Sequence, residues 1–109
     1  MLLNLYLDFN PDCMGKKTII IDGNNFSDLT SFYDEIDKVL TKDLTWQTGH
    51  NLDAFNDLLR GGFGIYEFNE PVIIIWKNFK KSKSDLGVRL TDTLVDIISD
   101  HKHINFTKI

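Results

Sequence analysis

The sequence has a single cysteine, Cys13, so it closes no internal disulfide and nothing in it requires an oxidising compartment. It also lacks a long apolar run. The longest, Val72 to Trp76, falls far short of the roughly 20 residues that a membrane-spanning helix needs. Bases are in the minority, 12 against 16 acids, and a net charge of −4 argues against a general nucleic-acid binder. Met1 to Phe9 carries no basic leader and is interrupted by Asn4 and Asp8, so it does not read as a signal peptide. Two prolines and seven glycines are too few for a low-complexity chain, and no segment repeats. What remains is an ordinary globular composition, 42% apolar and 26% charged, in a length of 109 residues that fits one domain. Such a chain buries about two-thirds of its unfolded surface and needs no staple. The expectation is a cytoplasmic monomer, without cofactor or metal, that meets at most one partner.

Apolar periodicity supplies the elements. Leu3, Leu5, Leu7 and Phe9 alternate with Asn4, Tyr6 and Asp8, as in a half-buried strand, until Asn10-Pro11-Asp12 breaks the pattern. Thr18 to Ile21 is a continuous β-branched run and predicts a strand buried on both faces, ended by Asp22-Gly23. Ser27 then suits the cap of a helix with Leu29, Phe32, Ile36, Val39 and Leu40 on one stripe and its acids facing water. A polar loop, Thr41 to His50, follows, with Trp46 its only large apolar residue and Gly49 a bend. Asn51 predicts the cap of a short helix, Leu52 to Arg60, closed by Gly61-Gly62. Val72 to Trp76 is the clearest buried strand. Leu90, Leu94, Ile97 and Ile98 predict a last helix capped near Thr91, and Ile104, Phe106 and Thr107 a closing strand. This order predicts a small α/β domain with a parallel sheet, with Leu3 to Phe9 as a possible added edge strand.

The short helix carries the most suggestive chemistry. At about 100° per residue, Leu52, Phe55, Leu58 and Leu59 form one apolar arc, while Asp53, Asn56, Asp57 and Arg60 gather on the other side. Asp53 and Asp57 are like charges one turn apart, which costs an isolated helix about 0.2–0.5 kcal/mol. The pair reads either as a plain solvated face or as a carboxylate surface awaiting the arginines or lysines of a partner. Composition alone favours the solvated face, and charge patterning shifts the balance toward the second. From Asp43 to Glu70 there are five acids (Asp43, Asp53, Asp57, Glu67, Glu70) and one base, Arg60. From Lys77 to Arg89 the balance reverses, with Lys77, Lys80, Lys81, Lys83 and Arg89 against Asp85. The first stretch predicts a negative lobe able to steer a basic partner. The second reads as a solubilising connection, since only Phe79 is interleaved with its lysines.

Gly49-His50-Asn51-Leu52-Asp53-Ala54-Phe55-Asn56-Asp57-Leu58-Leu59 resembles the G-x-N-L-D-A-L-x-D-x-L signature of the barstar family of ribonuclease inhibitors. The wider order matches too: an early strand, an apolar-striped helix, this motif, and a strand ending in Trp76. The resemblance spans about Lys17 to Ile109 and leaves Met1 to Lys16 as an N-terminal extension. It implies a three-stranded parallel sheet with helices packed on it. It also implies an intracellular immunity protein that blocks the basic active site of a small ribonuclease or related nuclease toxin. In that reading Asp53 and Asp57 face the enzyme's cations, Gly49, His50 and Asn51 form the loop beside them, and Gly61 closes the helix. Three features depart from the family. Gln47 and Thr48 replace its aromatics, with Trp46 displaced by one step; Asn56 replaces the helix tryptophan; and Gly62 intervenes before Phe63. Asp96 or Asp100 matches a late acidic contact.

Other constellations are weaker. His101 and His103 share a strand spacing that suits a metal but lack a third ligand nearby, so they read as surface histidines. Cys13 has no neighbouring base. His50 beside Asp53 suggests an acid–base pair without a nucleophile or oxyanion site to complete it. Gly61 to Gly64 follows a helix, unlike a dinucleotide loop, and reads as a turn. Two rivals to the inhibitor remain: a non-inhibitory interaction module of the same fold, and a small acid–base enzyme using Asp53, Asp57 and His50.

Overall fold

The computed structural model describes residues 16–42 and 48–109. The predicted strand Leu3 to Phe9, Cys13, Asp43 and Trp46 lie outside those residues. The described chain runs β1 (Lys17–Asp22), α1 (Leu29–Leu40), α2 (Leu52–Arg60), β2 (Val72–Lys77), α3 (Phe79–Leu86), α4 (Val88–Ser99) and β3 (Ile104–Lys108). The three strands form one parallel sheet in the order β1-β2-β3, with Ile19 beside Ile74 and Ile74 beside Phe106. The fold is therefore α/β, a three-stranded parallel sheet with four helices packed on it.

Alternation of burial corrects the reading of β1. Ile19 and Ile21 are buried, whereas Ile20 between them is 38% exposed, and β2 alternates in the same phase. The sheet is thus buried on one face and half-exposed on the other. A β-branched run fits either case, because β-branching reports strand preference and not the number of covered faces. On the buried face Trp76 is the hub. Its ring stacks on Phe32 at 5.6 Å and meets Phe26 and Phe79 edge-on, and Phe32 passes the contact to Phe55 of α2. The indole N–H donates to the buried Ser82 hydroxyl at 2.9 Å, so the largest core side chain leaves no orphan donor.

Helix α1 begins one residue later than its predicted cap. Asp28, not Ser27, accepts from the Ser31 amide at 2.8 Å, and the Ser31 hydroxyl is turned back to the cap backbone in a capping box. Its acids do not all face water. Glu35 is 4% exposed, with one oxygen accepting from the Asp22 amide and both from the Asn25 side chain, and with Lys38 at 3.1 Å. That carboxylate clamps the turn after β1 onto α1.

The segment read as a connection plus one helix is two helices. Gly87, with φ of 90°, ends α3 and opens α4. Thr91 is therefore no cap: it lies inside α4, fully buried, with a hydroxyl that finds no hydrogen-bond partner among the described residues. The lysines hid α3, since most of its surface is solvated and only Ser82 is fully buried. Lys81 has a structural task. Its ammonium donates to the Gly23 and Phe26 carbonyls at 3.1 and 3.0 Å and pairs with Asp85 at 2.5 Å.

Candidate protein-interaction face

Helix α2 is held at every point except its charged side. At its start the Asn51 side chain accepts from the Ala54 amide at 2.8 Å, as its position predicted. Phe55, Leu58 and Leu59 are buried in the core. Leu52, at the edge of the predicted apolar arc, is 37% exposed instead.

The C-terminal carbonyls of a helix lack intrahelical partners, and here each of the last three has one. The Leu58 carbonyl accepts from the Gly61 amide, the Leu59 carbonyl from the Tyr66 hydroxyl at 2.7 Å and the His103 ring at 3.0 Å, and the Arg60 carbonyl from the Asn69 amide at 2.7 Å. Gly61 makes this closure possible. Its φ is 95°, and a Cβ there would press on the Glu67 carbonyl oxygen and come within 2.8 Å of the Tyr66 ring. Gly61 is buried, so it shapes the end of the helix from within. Burial, with the Glu70 charge adding to it, pushes the Tyr66 phenol up, which keeps the hydroxyl a donor.

The loop before α2 is pinned by a residue that the sequence did not single out. The Asp37 carboxylate accepts from the buried Thr48 hydroxyl on one oxygen and from His50 Nε2 at 2.8 Å on the other. The His50 ring also stacks on Tyr33 at 5.4 Å. His50 therefore engages Asp37 rather than Asp53, and the suggested acid–base pair is not assembled. Gly49 stays exposed between the two anchors, and a Cβ on it would meet the capping Asn51 side chain at 3.3 Å. Thr48, where the resemblance implies an aromatic, is buried with its hydroxyl on Asp37.

Against this fixed frame the charged residues are free. Asp53 and Asp57 are both exposed on the outer side of α2. Arg60 approaches Asp57 only to 3.9 Å, with half or more of each side chain in solvent, and such a pair is worth little in stability. Asn56 is half-buried, its amide oxygen accepting from His101 Nε2 at 2.8 Å. His101 and His103 are thus half-buried braces behind α2, one on a side chain and one on a carbonyl, and not the free surface residues that their spacing suggested. Burial, with His103 and Arg60 nearby, holds the His101 ring below the usual histidine range, and Asp100 opposes this only weakly. Among the described residues no group of three or more potential ligands could hold a metal. Asp96 and Asp100 lie exposed at the end of α4. Trp46 and Gln47 lie outside the described residues.

Asp37, Tyr33, His101, Tyr66 and Asn69 all shape this face, and no local signal marks them. Each acts across at least seven residues of chain, through contacts that exist only in the folded state. The arrangement presents exposed carboxylates on a helix tied at both ends, with the His50–Asp37 pair pinning the loop before it.

A family model described as Barstar (barnase inhibitor) matches residues 16–106. No curated protein matches the chain. No helix among the described residues is long and apolar enough to cross a membrane.

Proposed function

We propose that this chain, which belongs to the Barstar (barnase inhibitor) family, is a cytoplasmic immunity protein that blocks the active site of a small basic ribonuclease or related nuclease toxin. The observation that carries this reading is the pairing of free carboxylates with a fixed frame. Among the described residues Asp53 and Asp57 have no strong internal partner, while α2 beneath them is tied at both ends and along its inner side. Charges placed on a preorganised element lose little entropy when a partner docks. In an active site lined with cations they take the positions of the substrate's phosphates, and the loop at Gly49, His50 and Asn51 enters beside them. Asn56, Gly61 and Trp46 complete the proposed contact region, with Gly61 acting through the shape of the helix end.

Family members are inhibitors and not enzymes, and His50 pairs with Asp37 rather than with Asp53, the neighbour that the enzymatic alternative names. The interaction-module alternative draws on Asn56 and Thr48, which stand where the family's aromatic anchors do. Titration of barnase-catalysed RNA hydrolysis with the protein separates the readings. Wild type inhibits competitively. Asp57→Ala weakens inhibition by about thirtyfold or more, and Asp53→Ala by a similar or smaller factor. Stranding one charge of a desolvated pair costs about 2–5 kcal/mol, a range to which the family's own complex contributed. Absence of inhibition, or inhibition unchanged by Asp57→Ala, contradicts the proposal.

A further inference from the structure

The outer side of α2 carries a second column of polar groups, opposite in hydrogen-bonding sense to the first. At about 100° per residue, Asn56 and Arg60 stand one turn apart, alongside the column of Asp53 and Asp57. Arg60 is the single base between Asp43 and Glu70. Its guanidinium has five N–H donors in a planar fork, and a 3.9 Å approach to Asp57 engages that fork poorly. No other ion pair within reach of Arg60 occurs among the described residues. Asn56 is oriented from behind. Because its amide oxygen accepts from His101 at 2.8 Å, the amide nitrogen and its two donors are turned the other way. Two acceptors therefore stand beside two donors on one rigid helix.

We infer that the partner presents a carboxylate opposite Asn56 and Arg60, adjoining the cations that face Asp53 and Asp57. This rests on the inhibitor reading above and adds to it the chemistry of the recognised surface: a mixed site, cations beside an acid, not a uniformly basic cleft. A uniformly cationic cleft would set its own charges against Arg60, and like charges juxtaposed at an interface lower affinity steeply. A carboxylate meets the guanidinium in two parallel hydrogen bonds and still accepts from the Asn56 amide. Arg60 then works as a specificity determinant, attractive to a nuclease with the acid and repulsive to one without it. His101 is a positioning residue, acting through the orientation of Asn56.

Barnase serves as the probe, with binding measured by calorimetric titration. Arg60→Ala weakens binding about tenfold and Arg60→Glu about a hundredfold. Asn56→Asp preserves the shape and the bond from His101 but replaces two donors with an acceptor, and it weakens binding about tenfold. Lysine substitutions of barnase's acidic residues, made one at a time, include one that strengthens binding to Arg60→Glu at least about tenfold while weakening binding to wild type. Arg60→Ala that binds as tightly as wild type, or more tightly, overturns the inference, since Arg60 would then only shield Asp57. Asp57→Ala is titrated alongside. Its loss of affinity together with an indifferent Arg60→Ala leaves the inhibitor reading standing and removes this one, whereas an indifferent Asp57→Ala removes both.

Discussion

Helices α2 and α3 are nearly the same length and opposite in almost everything else. Helix α2 starts on a side-chain cap, buries three large apolar residues and leaves its carboxylates exposed. Helix α3 starts from Asn78 in the left-handed conformation without a side-chain cap, and it fully buries only Ser82. Its Lys81 is committed to two carbonyls and Asp85. The Asn78 side chain is likewise committed, donating to Asp22 at 2.9 Å. The difference separates charge that holds a fold together from charge available to a partner. A count of acids and bases along the sequence does not make that distinction; hydrogen-bond partners do.

Substitutions at the two helix ends break the comparison most severely. Gly61 and Gly87 both have φ near 90°, but a Cβ at Gly61 meets the Glu67 backbone while one at Gly87 meets open space. Gly61→Ala is expected to lose about 3 kcal/mol or more in urea denaturation, from strain and collision together, and Gly87→Ala about 1–3 kcal/mol from strain alone. Equal losses would show that the closure around Gly61 contributes nothing of its own. A smaller effect separates two adjacent lysines. Lys81→Met, which removes the donor to Gly23 and Phe26, is expected to cost about 1 kcal/mol, while Lys80→Met stays within about 0.5 kcal/mol of wild type. A neutral Lys81→Met would return α3 to a merely solubilising role.

The smallest expected effect concerns the braces behind α2. The folded state holds His101 below its ordinary value of 6.5, mainly by burial. The unfolded chain then takes up the proton first. Stability from this site is complete above that ordinary value and is lost as pH falls through the lower folded value. The groups around it are Asn56 and Arg60 on α2, His103 before β3, and Asp100 after α4. His101→Gln should flatten the fall in melting temperature between about pH 7 and pH 5. An unchanged fall would place the acid sensitivity elsewhere.

What the sequence revealed follows the range of the forces involved. The α2 cap, its closing glycine, its buried residues and the exposure of Asp53 and Asp57 depend on chain neighbours, and all were legible. So were the three strands and their parallel arrangement, because the runs at Thr18, Val72 and Ile104 alternate with helical spacing. Helix α3 was not legible, since lysines solvate a helix and a connection equally well. Nor were Asp37 and Glu35, which resemble any acids between apolar positions until the fold brings His50, Thr48, Asp22 and Asn25 to them. The sequence placed His101 and His103 together but gave no sign that α2 would lie against them.

Partners are expected to meet this protein through α2 and not through α3. Stopped-flow association with barnase at several ionic strengths tests it most directly, comparing wild type with Asp53→Ala/Asp57→Ala and with Lys80→Glu/Lys83→Glu. The wild-type association rate is expected to fall steeply as the Debye length shortens from about 30 Å at 0.01 M to about 10 Å at 0.1 M, with dissociation much less affected. Removing the two aspartates slows association and flattens this dependence, while reversing the two lysines leaves association equal or faster. A salt-independent wild-type rate, or a rate that collapses only when the lysines are reversed, would contradict it.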